Sequence, residues 1–221
     1  MVARRVWALS GVAFVVIALG GVVVFGGDTP DTGASAAKVV SYYSEHTTRQ
    51  SIAAFVLAAS VPFLVLFGIY LASFGGRGNE AGEAILWRRL LIAGTVIEAA
   101  MLLATALIHF ALTDAVDQGV TGDAAQALNM LDGDSWIAWN SAFGVMMLGA
   151  GATVFTSALP RWMGWVALAL GVLLFIPYAD FFALLVTLIW IIVASIYLYR
   201  QGAREAAASA ATAAPTAAAD G

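Results

Sequence analysis

The 221-residue chain has no cysteine, two histidines and five prolines, and only 11% of its residues are charged. Without thiols there are no disulfides, no cysteine nucleophile and no thiolate-held iron–sulfur cluster. His46 and His109 do not form His-Glu-x-x-His, and only His109 lies in an apolar run, so bis-histidine haem inside a bundle is excluded as well. The glycines of GGRGNEAG (75–82) do not fit Gly-x-Gly-x-x-Gly, and Gly-Lys-Ser/Thr is absent, so nucleotide binding has no sequence support. Ser35-Ala-Ala-Lys38 spells Ser-x-x-Lys but lacks the accompanying Ser-Asp-Asn and Lys-Thr-Gly. No cofactor, no metal site and no catalytic set is implied.

What is abundant is hydrocarbon. Hydrophobic residues make up 62% of the chain and mean hydropathy is +0.90, against about 45–50% apolar in globular domains. Six apolar runs, approximately Val6 to Phe25, Ser51 to Phe74, Arg88 to Leu112, Ser135 to Ala158, Arg161 to Tyr178 and Asp180 to Tyr199, each approach the roughly 20 residues that cross a bilayer. The expected fold is all-α: a polytopic six-transmembrane-helix bundle over 1–200, followed by a disordered alanine-rich tail at 201–221. No internal repeat is visible, and the first partner is the lipid bilayer.

The basic residues predict the threading, because Lys and Arg in short loops stay cytoplasmic. With the N-terminus inside, Arg4, Arg5, Arg77, Arg88, Arg89, Arg161, Arg200 and Arg204 are cytoplasmic, and only Lys38 and Arg49 are outside. The first run exceeds the 7–15 residues of a signal core, so it is expected to remain as a span. The expectation is a multi-pass plasma-membrane protein with both termini cytoplasmic. Trp7, Trp87, Trp162, Trp165, Trp136 and Trp139 fall at span ends, as interfacial rings should. The outer segments are acidic, which argues against nucleic acid as a partner.

Two outer segments predict short surface helices that form a partial lid. In the first, Ser35 is the N-cap and Val39, Val40 and Tyr43 give an apolar edge up to His46. In the second, Ala124, Ala127, Leu128 and Leu131 share a face, and Asp132-Gly133 ends the helix. Gly149, Thr153 and Ser157 form a small-residue packing stripe. Pro160 breaks the chain, and the turn at 176–180 makes an antiparallel hairpin of the last two spans, with Asp180 as cap.

The polar residues inside the runs are the candidates for chemistry. Glu98 and His109 lie three turns apart on one face of the third span, with Gly94, Met101 and Thr105 between or beside them. No Lys or Arg lies at the depth of Glu98, so an unpaired, neutral carboxyl is expected there. One reading makes it structural, bonded to Ser60, to Trp190 or to the Ala58 carbonyl that Pro62 leaves free. A second makes it a proton or cation site inside the bundle, and a third leaves it facing lipid and merely tolerated. At the outer mouth His109, Asn140, Asp180, His46, Glu45 and Arg49 are able to converge on a small polar ligand or metal, with no specific spacing.

GDTPD at 27–31, VVSYYSEH at 39–46 followed by Arg49, and LPRWMGW at 159–165 together resemble a group of small, uncharacterised actinobacterial integral membrane proteins. Nine arginines against one lysine and the abundant alanine fit a GC-rich coding bias. The resemblance covers Met1 to Tyr199 and implies no reaction. Two function classes remain. The first is non-enzymatic: binding or moving a small molecule, ion or lipid, or serving other membrane proteins or a second copy of the chain. The second is a membrane-embedded hydrolase that uses the outer mouth.

Overall fold

The structure is a computed structural model that describes residues 6–75, 81–157 and 159–213. Among these residues there is no strand. The helices are α1 (Trp7–Gly26), α2 (Ala36–Phe74), α3 (Ala81–Asp117), α4 (Gly122–Asp134), α5 (Trp136–Phe155), α6 (Arg161–Leu173) and α7 (Asp180–Ala213). By length and composition α1, α2, α3, the α4–α5 pair and α7 are able to cross a membrane. The fold is an all-α polytopic membrane bundle.

The fifth run behaves differently from a full span. α6 has 13 residues, about 20 Å at 1.5 Å per residue, against roughly 30 Å of hydrocarbon. The chain turns after Leu173 because Pro177 brings no amide hydrogen and Tyr178 takes a left-handed φ of 69°. The expected hairpin with α7 is present: Trp190 on α7 donates from Nε1 to the Met163 carbonyl at 3.1 Å. Asp180 begins α7, and its Oδ1 accepts the Phe181 amide at 2.9 Å. α7 passes the expected end at residue 200 and runs to Ala213, since alanine is the best helix former. The rest of the tail lies outside the described residues, as does most of the GGRGNEAG segment.

The first outer helix is not a separate lid. Ser35 caps it, accepting from the Lys38 amide at 3.4 Å, but the helix then continues without a break through Phe74. Nothing between His46 and Ser51 breaks a helix, so the lid segment becomes the first three turns of α2. α4 is separate, joined to α5 through Ser135. Its buried face is carried by Ala125 and Asn129, while Leu131 is 54% exposed, so the expected face through Ala124, Ala127 and Leu131 is rotated by about one position. An asparagine on the buried side masked the true stripe.

Two cores result. The membrane core joins Phe14 of α1, Leu64 and Phe67 of α2, Leu91 of α3, Phe143, Met146 and Met147 of α5, Met163 of α6 and Ile191 of α7. A smaller core at one end of the bundle gathers Ala34, Val39, Tyr43, Leu112, Val116 and Ala125, and makes a cap of the extended ends of α2 and α3 with α4. α3 and α5 cross closely enough that a Cβ on Gly94 would meet the backbone of Met146, and one on Gly149 the backbone of Leu91. Such backbone approach is how helices associate in lipid, where apolar burial gives no preference for protein over lipid. Thr153 of the same stripe is buried and Ser157 half-buried. The span-end tryptophans Trp7, Trp136, Trp162 and Trp165 are exposed, whereas mid-span Trp190 is buried.

Candidate functional site

The register set by Gly94 against Met146 brings Glu98 beside the Ala142–Phe143 turn of α5. Glu98 is fully buried, and neither carboxyl oxygen has a hydrogen-bond partner among the described residues. The backbone of Phe143 is the polar group that approaches it. Two of the expected structural partners are occupied elsewhere. The Ser60 hydroxyl donates to the Leu57 carbonyl at 2.6 Å, and the Trp190 indole goes to Met163. Glu98 therefore does not tie α3 to α2 or α7 by a hydrogen bond; it faces α5.

His109 stands three turns further along α3, at the base of the cap. Its Nε2 lies 2.9 Å from Gln50 Oε1, and its Nδ1 lies 2.8 Å from Asp132 Oδ2. Gln50 is fixed in orientation, because its Nε2 donates to the Gly26 carbonyl at 2.6 Å and to Tyr42 Oη at 2.8 Å. Its Oε1 therefore faces the imidazole, and Nε2 of His109 carries the hydrogen. The Nδ1 contact to the Asp132 carboxyl continues the chain. One chain of hydrogen bonds thus joins the end of α1, α2, α3 and α4. The buried Tyr43 ring packs edge-on against the imidazole at 6.0 Å, and its hydroxyl has no partner among the described residues.

The other candidates stand apart from this chain. Asn140 Nδ2 donates to Asp180 Oδ2 at 3.2 Å, both residues being buried between α5 and α7. Asn140 lies eight residues beyond Asp132, about 12 Å further along the bundle. His46 stacks on Tyr42 and meets the Tyr42 carbonyl at 2.8 Å within its own helix. Glu45 accepts from the Ser41 hydroxyl at 3.1 Å, and Arg49 donates to the Val24 carbonyl at 3.3 Å. Thr105 is half-buried and bonds neither Glu98 nor His109. The mouth group therefore resolves into separate contacts rather than one centre, and no cluster of metal-ligating side chains occurs among the described residues.

Gln50 and Asp132 were missed as site residues. Gln50 sits between Arg49 and an apolar run and reads as a boundary residue, and Asp132 reads as a helix stop. Only the antiparallel register of α3 against α4 and α5 reveals that Asp132 reaches His109. An open cleft of about 550 Å³ lies beside the cap, lined by Gly27–Asp31, Lys38 and Tyr42. The chain matches no protein-family model, no curated protein and no solved structure. The geometry itself defines a multi-pass membrane protein with a polar cap network and one isolated carboxyl in its core.

Proposed function

We propose that the protein is a non-enzymatic component of the plasma membrane that takes up and releases a proton at Glu98, with both termini cytoplasmic. The observation that carries this reading is the carboxyl itself, fully buried and with both oxygens unpartnered among the described residues. A carboxyl kept for structure is bonded to a neighbouring helix. One held without a partner destabilises the fold by about 1–3 kcal/mol, and intramembrane carboxyls of this kind mark proton and ion paths. A proton fits the site as it is packed. The resemblance to actinobacterial membrane proteins belongs to this proposal and adds no substrate. The hydrolase reading loses support, because His46, His109 and Asp180 each bond a different group.

Dicyclohexylcarbodiimide, which enters bilayers and reacts with protonated carboxyls, tests this in native membranes. The expected result is a single adduct at Glu98, absent from Glu98→Gln. Proteoliposomes holding a pH-sensitive dye should then show proton flux with the parent protein and none with Glu98→Gln of equal thermal stability. Absence of the adduct, or equal flux in the two proteins, overturns the reading.

A further inference from the structure

The cleft beside the cap holds charged groups of both signs that do not pair with one another. Asp28, Asp31 and Lys38 all line it and all are exposed. None of the three makes an ion pair or a side-chain hydrogen bond among the described residues. The volume of about 550 Å³ is within the range of small-molecule sites.

The walls of the cleft are fastened. Asn129 of α4, itself buried, donates to the carbonyls of Pro30 and Asp31 at 3.4 and 3.0 Å, and the Asp31 carbonyl also accepts the Ala34 amide at 2.9 Å. Across the cleft, the Tyr42 hydroxyl donates to the Gly26 carbonyl at 3.4 Å and accepts from Gln50 Nε2 at 2.8 Å. Gly27 takes a left-handed φ of 64°, and a Cβ there would stand 2.6 Å from Arg49 Nη2. Glycine lets the loop pass that close to the guanidinium.

Helix stability does not explain Lys38. It is the chain's only lysine and sits in the first turn of α2, the end of a helix that disfavours a cation. An exposed charge adds little to stability in any case. Held on a fixed frame opposite two carboxylates, it is placed instead to receive an anion.

We propose that the cleft binds a small water-borne amino-carboxylate, with the ligand's carboxylate on Lys38 and its ammonium nitrogen on Asp28 and Asp31. Two carboxylates against one ammonium favour a ligand with more than one cationic nitrogen, such as a diamino acid. The polarity of the cleft excludes a phospholipid headgroup. Gly26, bonded to Gln50 at 2.6 Å, marks the level at which α2 enters its apolar run, and Asp28 follows two residues later. Lys38 precedes Gln50 by twelve residues on α2, which places it about 18 Å further from the bilayer. A zwitterionic phospholipid has the reverse order, phosphate inward and ammonium outward.

The full chain in mild detergent, dialysed to equilibrium against radiolabelled L-lysine, should bind it saturably with a Kd of about 1 mM or tighter. The same molecule without its carboxylate, 1,5-diaminopentane, should compete about tenfold more weakly. Lys38→Gln should erase that difference, and Asp31→Asn should weaken both ligands, each variant keeping the parent melting temperature. No saturable binding of L-lysine below about 10 mM, or binding unchanged in both variants, overturns the proposal. Glycerophosphoethanolamine competing better than L-lysine also overturns it and assigns the cleft to a lipid headgroup. The cleft shares no residue with the surroundings of Glu98, so this test and the carbodiimide test fail independently.

Discussion

At the residue scale the deciding question is what each buried polar atom bonds to. Glu98 bonds to nothing described, so its removal relieves a cost instead of breaking a contact. Glu98→Leu should therefore raise the melting temperature in detergent, corresponding to about 1–3 kcal/mol, and Glu98→Gln should leave it near the parent value. A marked fall in the leucine variant would reveal a hydrogen bond to Glu98. His109 is the opposite case. His109→Phe strips a partner from both Gln50 and Asp132, and limited proteolysis should then cut the cap at least several-fold faster, for a loss of about 1–3 kcal/mol per orphaned group. Unchanged cleavage would mean that the network does not hold the cap. The sequence made Glu98 and His109 conspicuous because they are polar letters in apolar runs. It did not show their partners, since Gln50 and Asp132 sit at run boundaries where polar residues are ordinary.

At the element scale, helix existence was legible and helix ends were not. Apolar length located every span, because a helix in lipid satisfies its own backbone. The join of the cap segment to α2 was hidden, since a span boundary marked by Glu45, His46 and Arg49 looks like a helix end when water is assumed to begin there. The short α6 was hidden too, because residues 174–178 are as apolar as those before them and only the Pro177–Tyr178 turn separates them. Tyr178, 93% exposed with φ 69°, pays a left-handed cost that glycine avoids, about 1–2 kcal/mol. Tyr178→Gly should accordingly raise the melting temperature by a few degrees, and a lower one would assign the ring a role at the membrane surface. Tyr43→Asp, which places a charge among Val39, Leu112 and Val116 in the cap core, should lower the melt and expose residues 36–46 to protease.

At the scale of the whole molecule, Arg88 and the cap lie at opposite ends of the bundle: Arg88 is beside Gly75 at the end of α2, and Lys38 begins the same helix. The orientation expected from charge is tested by single cysteines at Ala36, at Ala127 on the exposed side of α4, and at Gly78, the last lying outside the described residues. Membrane-impermeant maleimide on intact cells should label the first two and spare the third; labelling of Gly78 alone reverses the protein in the membrane. Close packing at Gly94 and Gly149 fixes the central pair α3–α5. α1 lies at the periphery, with Val16, Val22, Val23 and Val24 more than half exposed.

The unbroken α2 makes the protein a lever. Its 39 residues form a rod about 58 Å long, with the cap fastened along one arm and the bundle along the other. Pro62 removes one backbone hydrogen bond within the buried arm, which sets the fulcrum near the depth of the bundle core. A tilt of roughly 10° about that point carries the cap end of a rod of this length sideways by about 6–7 Å. Were α2 to tilt about Pro62, a small rotation in the core would thus be enlarged at the cap.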